Sequence, residues 1–208
     1  MTHTVHPYAH RLGVIRDWKS RWFAKTPLEY RTNVMIDSAV RRFLKKRLRG
    51  MFVTSVEIER QQNAIRIIVK TSRPGLVIGR GGEGSQKLTK EIEEVARTVK
   101  GAPKMNVRLD IEEVRSPESQ APVVAYMVAE GLEKRQTFRR VLKQTVEKVM
   151  ANRDVQGIKI SMRGVITGGM ARKEKMMKGR IPLQTIRADV DYAYKVAVLP
   201  LGTVGIKV

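Results

Sequence analysis

Residues 73–88 read RPGLVIGRGGEGSQKL, and three different turns can be found in them. Gly79, Gly81 and Gly84 satisfy G-x-G-x-x-G, the dinucleotide-binding fingerprint, while Gly79 and Gly84 have the spacing of the phosphate loop G-x-x-x-x-G-K-[ST]. Gly79-Arg80-Gly81-Gly82 alone is a G-x-x-G turn, of the kind that clamps a nucleic-acid backbone. A dinucleotide turn requires a buried strand running into its first glycine and an acid at the end of the next strand. Leu76-Val77-Ile78 instead follows Pro74-Gly75 and suits one turn of helix, and Asp110, the available acid, stands late, between Arg108 and Glu112 on the polar side of a strand. The phosphate loop fails on Ser85, which occupies the lysine position. A G-x-x-G clamp needs close backbone approach, free N–H groups of a following helix and a cation, which Arg80 supplies. A surface turn without ligand would use the same residues.

Outward from this turn the hydrophobic spacing predicts a helix over Pro27 to Gly50, carried by Val34, Ile36, Ala39, Val40, Phe43, Leu44 and Leu48. FVTSVEIE and AIRIIVKT follow as a hairpin around Arg60-Gln61-Gln62-Asn63, then the turn, a helix from Glu83 to Val99 stopped by Gly101 and Pro103, and the alternating strand MNVRLDIEEV. RSPESQAP reads as a linker. Beyond it lie one long helix from Gln120 to Ala151, strand-like GIKISMRG, the glycine-rich GVITGG, the basic run RKEKMMKGR and two apolar strand-like segments.

Composition narrows the class. Lys and Arg number 41 against 20 Asp and Glu, a formal charge of +21 over 208 residues. Such a surplus repels itself in a compact state and points to a polyanionic partner, nucleic acid before an anionic membrane. A hydrophobic content of 42% is enough for a core, and the absence of cysteine excludes disulfides, thiolate metal sites and cysteine nucleophiles. No apolar run reaches the about eighteen residues that a membrane span needs, and MTHTVHPYAH lacks a signal-peptide core, so a cytoplasmic protein is expected. His3, His6 and His10 are spaced as metal ligands could be, but without an accompanying acid or cysteine no metal is expected. Asp110, Glu112 and Glu113 have no partner histidine, so neither an enzyme nor a cofactor is expected.

Two basic stretches stand out. Arg41, Arg42, Lys45, Lys46, Arg47 and Arg49 crowd one helix with no acid among them, so local i,i+4 pairing cannot neutralise them. At 100° per residue, Phe138, Val141, Leu142, Thr145 and Val149 fall on one side of the long helix, and Arg139, Arg140 and Lys143 form an arc of roughly 100° on the other. Solvation and phosphate contact both produce such faces.

The strand, helix, glycine turn, helix, strand order resembles a type II KH domain, and the likeness extends along the chain. VHP and RLG near the start, RPGLVIGRGGE, LEKR with FRRVLK, GRIPLQTIRADVDY and GTVGIKV resemble, in order, segments of the bacterial small-subunit ribosomal protein uS3 family. The resemblance implies an α+β protein of two domains. An extension (1–26) precedes a type II KH domain (27–113), with helices on one face of a three-stranded sheet; after a linker (114–120) comes an α+β domain (121–208), a long helix on a mostly antiparallel sheet. It implies binding of 16S rRNA in the 30S head through the turn Gly79, Arg80, Gly81, Gly82 and through His6, Arg11, Arg41, Arg42, Lys45, Lys46, Arg172, Lys173, Lys175, Lys178 and Arg180. Arg139, Arg140 and Lys143 would line the mRNA entry and assist unwinding. Small-subunit proteins ten and fourteen would be neighbours, with proteins four and five nearby, and no homo-oligomer is expected. Where the family commonly has two basic residues inside the G-x-x-G, this chain has Arg80 and Gly81, and its aromatics after Glu174 are replaced by Lys175 and Met176.

Overall fold

The computed structural model describes residues 5–61, 64–99, 105–166 and 168–208. His3, the hairpin residues Gln62 and Asn63, the helix stops Gly101 and Pro103, and Thr167 of the glycine-rich segment lie outside the described residues. The helices are α1 (Pro7–His10), α2 (Pro27–Arg47), α3 (Pro74–Ile78), α4 (Glu83–Arg97), α5 (Ala121–Glu133) and α6 (Phe138–Met150). The strands are β1 (Ser20–Arg21), β2 (Val53–Gln61), β3 (Ala64–Thr71), β4 (Asn106–Glu113), β5 (Gly157–Gly164), β6 (Arg172–Gly179), β7 (Tyr194–Leu199) and β8 (Gly202–Lys207). They fall into two compact units, Trp18–Arg115 and a second made of Ser116–Val208 with Met1–Asp17. Of the described residues before α2, 5–17 group with the second unit and 18–26 with the first.

In the first unit α2 starts where Thr26 caps it, its hydroxyl accepting the Glu29 N–H at 3.3 Å, with Pro27 in the first turn where no N–H is needed. Ile36, Val40, Leu44 and Leu48, four residues apart, form the buried stripe, whereas Val34, expected in it, lies on the exposed side. The stripe packs with Ile92 of α4 and with Ile58, Ile65, Ile67 and Val69 of β2 and β3. Burying each such side chain contributes about 2 kcal/mol. The sheet runs β1-β2-β3-β4, with β2 antiparallel to β3, and β3 parallel to β4. Its fourth strand, not expected from the sequence, is β1, two residues paired in parallel with β2.

A buried polar knot attaches β1. Asp37 of α2 binds Arg60 of β2 at 2.5 Å, and both side chains are less than a tenth exposed, at 9% and 5%. The other Asp37 oxygen accepts from Trp22 Nε1 at 2.9 Å and from the Ser20 hydroxyl at 3.3 Å, while Asn33 takes an Arg60 N–H at 3.0 Å. Each buried charge therefore meets an opposite charge and further hydrogen-bonding partners, which offsets its desolvation.

The second unit stacks α5 and α6 on an antiparallel sheet ordered β6-β5-β8-β7. The expected single long helix is two. The N–H of Arg135 donates to Leu132 O at 2.9 Å and that of Gln136 to Gly131 O at 3.2 Å, the paired bonds of a Schellman stop, with Arg135 itself at φ 58°. Gly131 then lets α6 come close: a Cβ there would stand 3.0 Å from a Val141 methyl. Since a left-handed residue with a side chain is strained by about 1–2 kcal/mol and glycine has more entropy to lose, Arg135→Gly is expected to stabilise the second unit by about 0.5–1 kcal/mol in urea unfolding.

Candidate nucleic-acid interface

The glycine turn sits between α3 and α4. Gly79, Gly81 and Gly82 have φ of 74°, 60° and 82°, all in the region that side chains disfavour. Arg80 to Gly82 form one 3₁₀ turn, and Gly82 leads into α4 with no side-chain cap, so its first N–H groups have no capping partner from a side chain. Arg80 is exposed on this turn. Gly84 serves the packing: a Cβ on it would lie 2.8 Å from the carbonyl oxygens of Val77 and Ile78. The dinucleotide fingerprint therefore joins turn glycines to a packing glycine, and the element before it is a helix rather than a strand. Asp110 is not available to a ribose either. It projects from the opposite face of the first sheet, where Arg66 Nε binds it at 2.5 Å and Arg108 at 3.3 Å. The Arg66 hydrogen bond, helped by the charge of Arg108, holds the Asp110 carboxyl below its ordinary value.

That outer face is a closed ladder of charge. Glu57 and Glu59 pair with Arg21, Glu57 also with Lys70 at 2.8 Å, Glu59 also with Arg66 at 3.3 Å, and Glu112 with Lys70 at 3.8 Å. Its cations are engaged by acids of the same sheet, so it offers a polyanion little net field.

Five of the six clustered cations lie on α2, with Arg49 just past its end, and the five separate. Arg41 is a structural clamp, its guanidinium donating to Val56 O at 2.6 Å and to Lys19 O and the Ser20 hydroxyl at 2.8 Å. Burial pushes its pKa down from the ordinary value, against the pull of Asp37 and Glu57. Half-buried and bonded to these oxygens, Arg41 fastens β1 to α2 and β2. Arg47 pairs with Glu91 of α4 at 3.0 Å. Arg42, Lys45 and Lys46 are exposed.

In the second unit Arg139, Arg140 and Lys143 are exposed on α6, opposite the buried Val141, Leu142, Thr145, Val146 and Val149. Arg139 also lies over the Phe138 ring, 5.6 Å from its centroid. The basic run is an edge strand, β6, paired residue by residue with β5. Strand alternation divides its side chains: Lys173 and Lys175 oppose Arg163 and Ser161 on one face, while Arg172, Glu174, Met176 and Lys178 take the other. Arg180 follows the strand and is exposed.

Arg11 is engaged more completely still. It is 0% exposed, and its guanidinium donates to the carbonyls of Pro7, Pro182, Leu183, Thr185 and Ala188 at 2.5–3.4 Å. No face of it is left for a phosphate; it fastens the segment around α1 to the loop before β7, beside an ion pair of Arg16 with Asp189 at 2.7 Å. His6 caps α1, its Nδ1 accepting the Tyr8 N–H at 3.2 Å, and its exposed ring meets Tyr192 edge to face at 4.6 Å. Among the described residues no group of three or more His, Cys, Asp or Glu is placed to hold a metal ion, and no helix is long and apolar enough to cross a membrane.

Known proteins are similar to this chain in sequence. Residues 39–119 match the family model described as KH domain, and residues 128–208 match the one described as Ribosomal protein S3, C-terminal domain. Small ribosomal subunit protein uS3 of Endomicrobium trichonymphae is 43% identical over 209 residues, covering 100% of this chain and 86% of the relative. The proteins of the same name from Clostridioides difficile (strain 630) and Clostridium novyi (strain NT) are 41% and 39% identical, again over 100% of this chain and over 74% and 91% of theirs.

Replacing the buried guanidinium strands the carbonyls it serves. Arg11→Met is expected to destabilise the second unit by about 3 kcal/mol. The loss should appear as faster hydrogen exchange at Ala193 and Val208, whose N–H groups donate to each other's carbonyls at 2.9 Å. Fluorescence of Trp18 and Trp22, both in the first unit, should report an unchanged transition.

Proposed function

Because the chain belongs to the small ribosomal subunit protein uS3 family, structural proteins rather than enzymes, we propose that it binds 16S rRNA in the head of the 30S subunit and contacts mRNA at the entry channel. The observation that carries the RNA reading is the glycine turn: Gly79, Gly81 and Gly82, all at positive φ, flank an exposed Arg80 and open onto the start of α4, which no side chain caps. A sugar-phosphate chain can approach that backbone closely and accept its N–H groups. Arg42, Lys45 and Lys46 on α2, and Arg172, Lys173, Lys175, Lys178 and Arg180 along β6, supply exposed cations for rRNA phosphates, and His6 an exposed imidazole. Arg139, Arg140 and Lys143 take the mRNA, gripping separated strands without any catalytic group. The protein works in the cytoplasmic ribosome, beside small-subunit proteins ten and fourteen and near proteins four and five.

Gly82→Asp tests the turn. The left-handed φ of 82° is one that Asp tolerates better than most residues, and a Cβ there meets only the Ser85 hydroxyl at 3.9 Å, so the domain should fold. Affinity for unpaired RNA at fixed salt is expected to fall several-fold through like-charge repulsion; unchanged affinity would leave the loop a mere turn. Alanine at Arg139, Arg140 and Lys143 together tests the entry role. Stability should change by only a few tenths of a kcal/mol per site, and the salt dependence of mRNA binding should flatten by roughly two to three units of log-log slope. Ribosomes carrying the triple variant should slow on messengers with downstream hairpins while translating unstructured ones almost normally; equal slowing on both would overturn the assignment.

A further inference from the structure

The second sheet has two faces of different chemistry. Ile158, Ile160, Met162, Ala197, Val204 and Ile206 point into the core with α5 and α6, so the residues between them project from the outer face. There the register sets Lys175, Ser161, Lys207 and Tyr194 in one row across β6, β5, β8 and β7, and Lys173 beside Arg163 in the next. Lys159 extends the face along β5. No carboxylate occupies an outer-face position of these four strands, in contrast to the compensated ladder on the first sheet. Like charges side by side on a sheet are destabilising. The crowding is felt at Lys173, whose ammonium the charges of Arg163, Lys175 and Lys159 hold below its ordinary pKa.

An aromatic ring completes the face. Tyr194 is 53% exposed and leans over Gly205, where a Cβ would stand 3.2 Å from its hydroxyl and 3.4 Å from Cε2. Gly205 pairs with Arg163, so the ring lies beside the second row of cations. Its uncovered side offers a π surface that an unstacked base can use and a base inside a duplex cannot.

We propose that the outer face of the second sheet is a binding surface for unpaired RNA, with Lys159, Arg163, Lys173, Lys175 and Lys207 holding phosphates and Tyr194 stacking a base. This site rests on the RNA-binding function proposed above and adds to it Lys159, Arg163, Lys207 and Tyr194, which lie outside the glycine turn, α2 and α6.

The test measures binding of the full chain to a short labelled unpaired RNA of mixed sequence, and to the same strand annealed to its complement, across a salt series. Replacing Lys159, Arg163 and Lys207 together by Gln should flatten the log-log salt slope for the unpaired strand by roughly two units, as expected for three lost phosphate contacts. A charge-matched triple, Gln at Lys134, Lys148 and Arg153, should leave the slope nearly unchanged. Tyr194→Leu, which still covers Gly205, should weaken binding about tenfold at fixed salt, and Tyr194→Phe should restore it. The proposal is overturned if the two charge triples behave alike, if Tyr194→Leu binds as the parent does, or if the duplex is preferred. Should Gly82→Asp still weaken binding in that case, RNA binding by the turn stands and only this face is wrong. A parent protein that binds neither RNA would sink both.

Discussion

A chain with a formal charge of +21 must decide where to spend few carboxylates, and much of the architecture follows from that constraint. Asp37 goes inside, where it lets Arg60 be buried and ties α2, β2 and β1 together. Glu57, Glu59, Asp110 and Glu112 go to the outer face of the first sheet and close a ladder with Arg21, Arg66, Lys70 and Arg108. Such exposed pairs add little stability individually. Their larger effect is to cancel the field there, so that the glycine turn, the end of α2, the arc on α6 and the outer face of the second sheet hold much of the uncompensated charge. Cations exposed without partners cost the compact state some self-repulsion, which a polyanion relieves on binding.

Much of the first unit was legible because its signals are local. The four-residue spacing from Ile36 to Leu48, the alternation in β4 and the positive-φ demand of a glycine turn are each written in adjacent residues. The features that escaped depend on partners distant in sequence. Arg11 reads as a surface cation until the carbonyls of residues 182–188 close around it, and Arg41 as part of a basic face until Lys19 and Val56 arrive. Neither shows any mark in its own neighbourhood. A long charged side chain with several donors can fasten loops as well as bind phosphate, and only its surroundings decide between them.

The second unit was harder to read for a related reason. Helices commonly stop at glycine or proline, but the break between α5 and α6 uses Arg135 in the left-handed position, so the sequence carries no stop signal there. The one available hint was Gly131, whose missing side chain marks the close approach of α6. β6 was hidden differently. As an edge strand with several lysines it carries almost no apolar alternation, and lysine on an edge also discourages pairing with another chain.

The same alternation gives β6 two roles at once. On its core side Met176 packs against the hydrophobic cluster and Glu174 shares the face of Met162, while on its outer side Lys173 and Lys175 join the cations of β5. A helix of similar composition would spread those charges around its circumference, and a loop would leave their spacing unset. A strand places them at a fixed repeat of about 7 Å along one face, beside neighbours in defined register. Charge alone draws any polyanion; a flat, registered array with an aromatic ring at its side also favours a strand whose bases are free to stack, which is where electrostatic attraction becomes selection of RNA conformation.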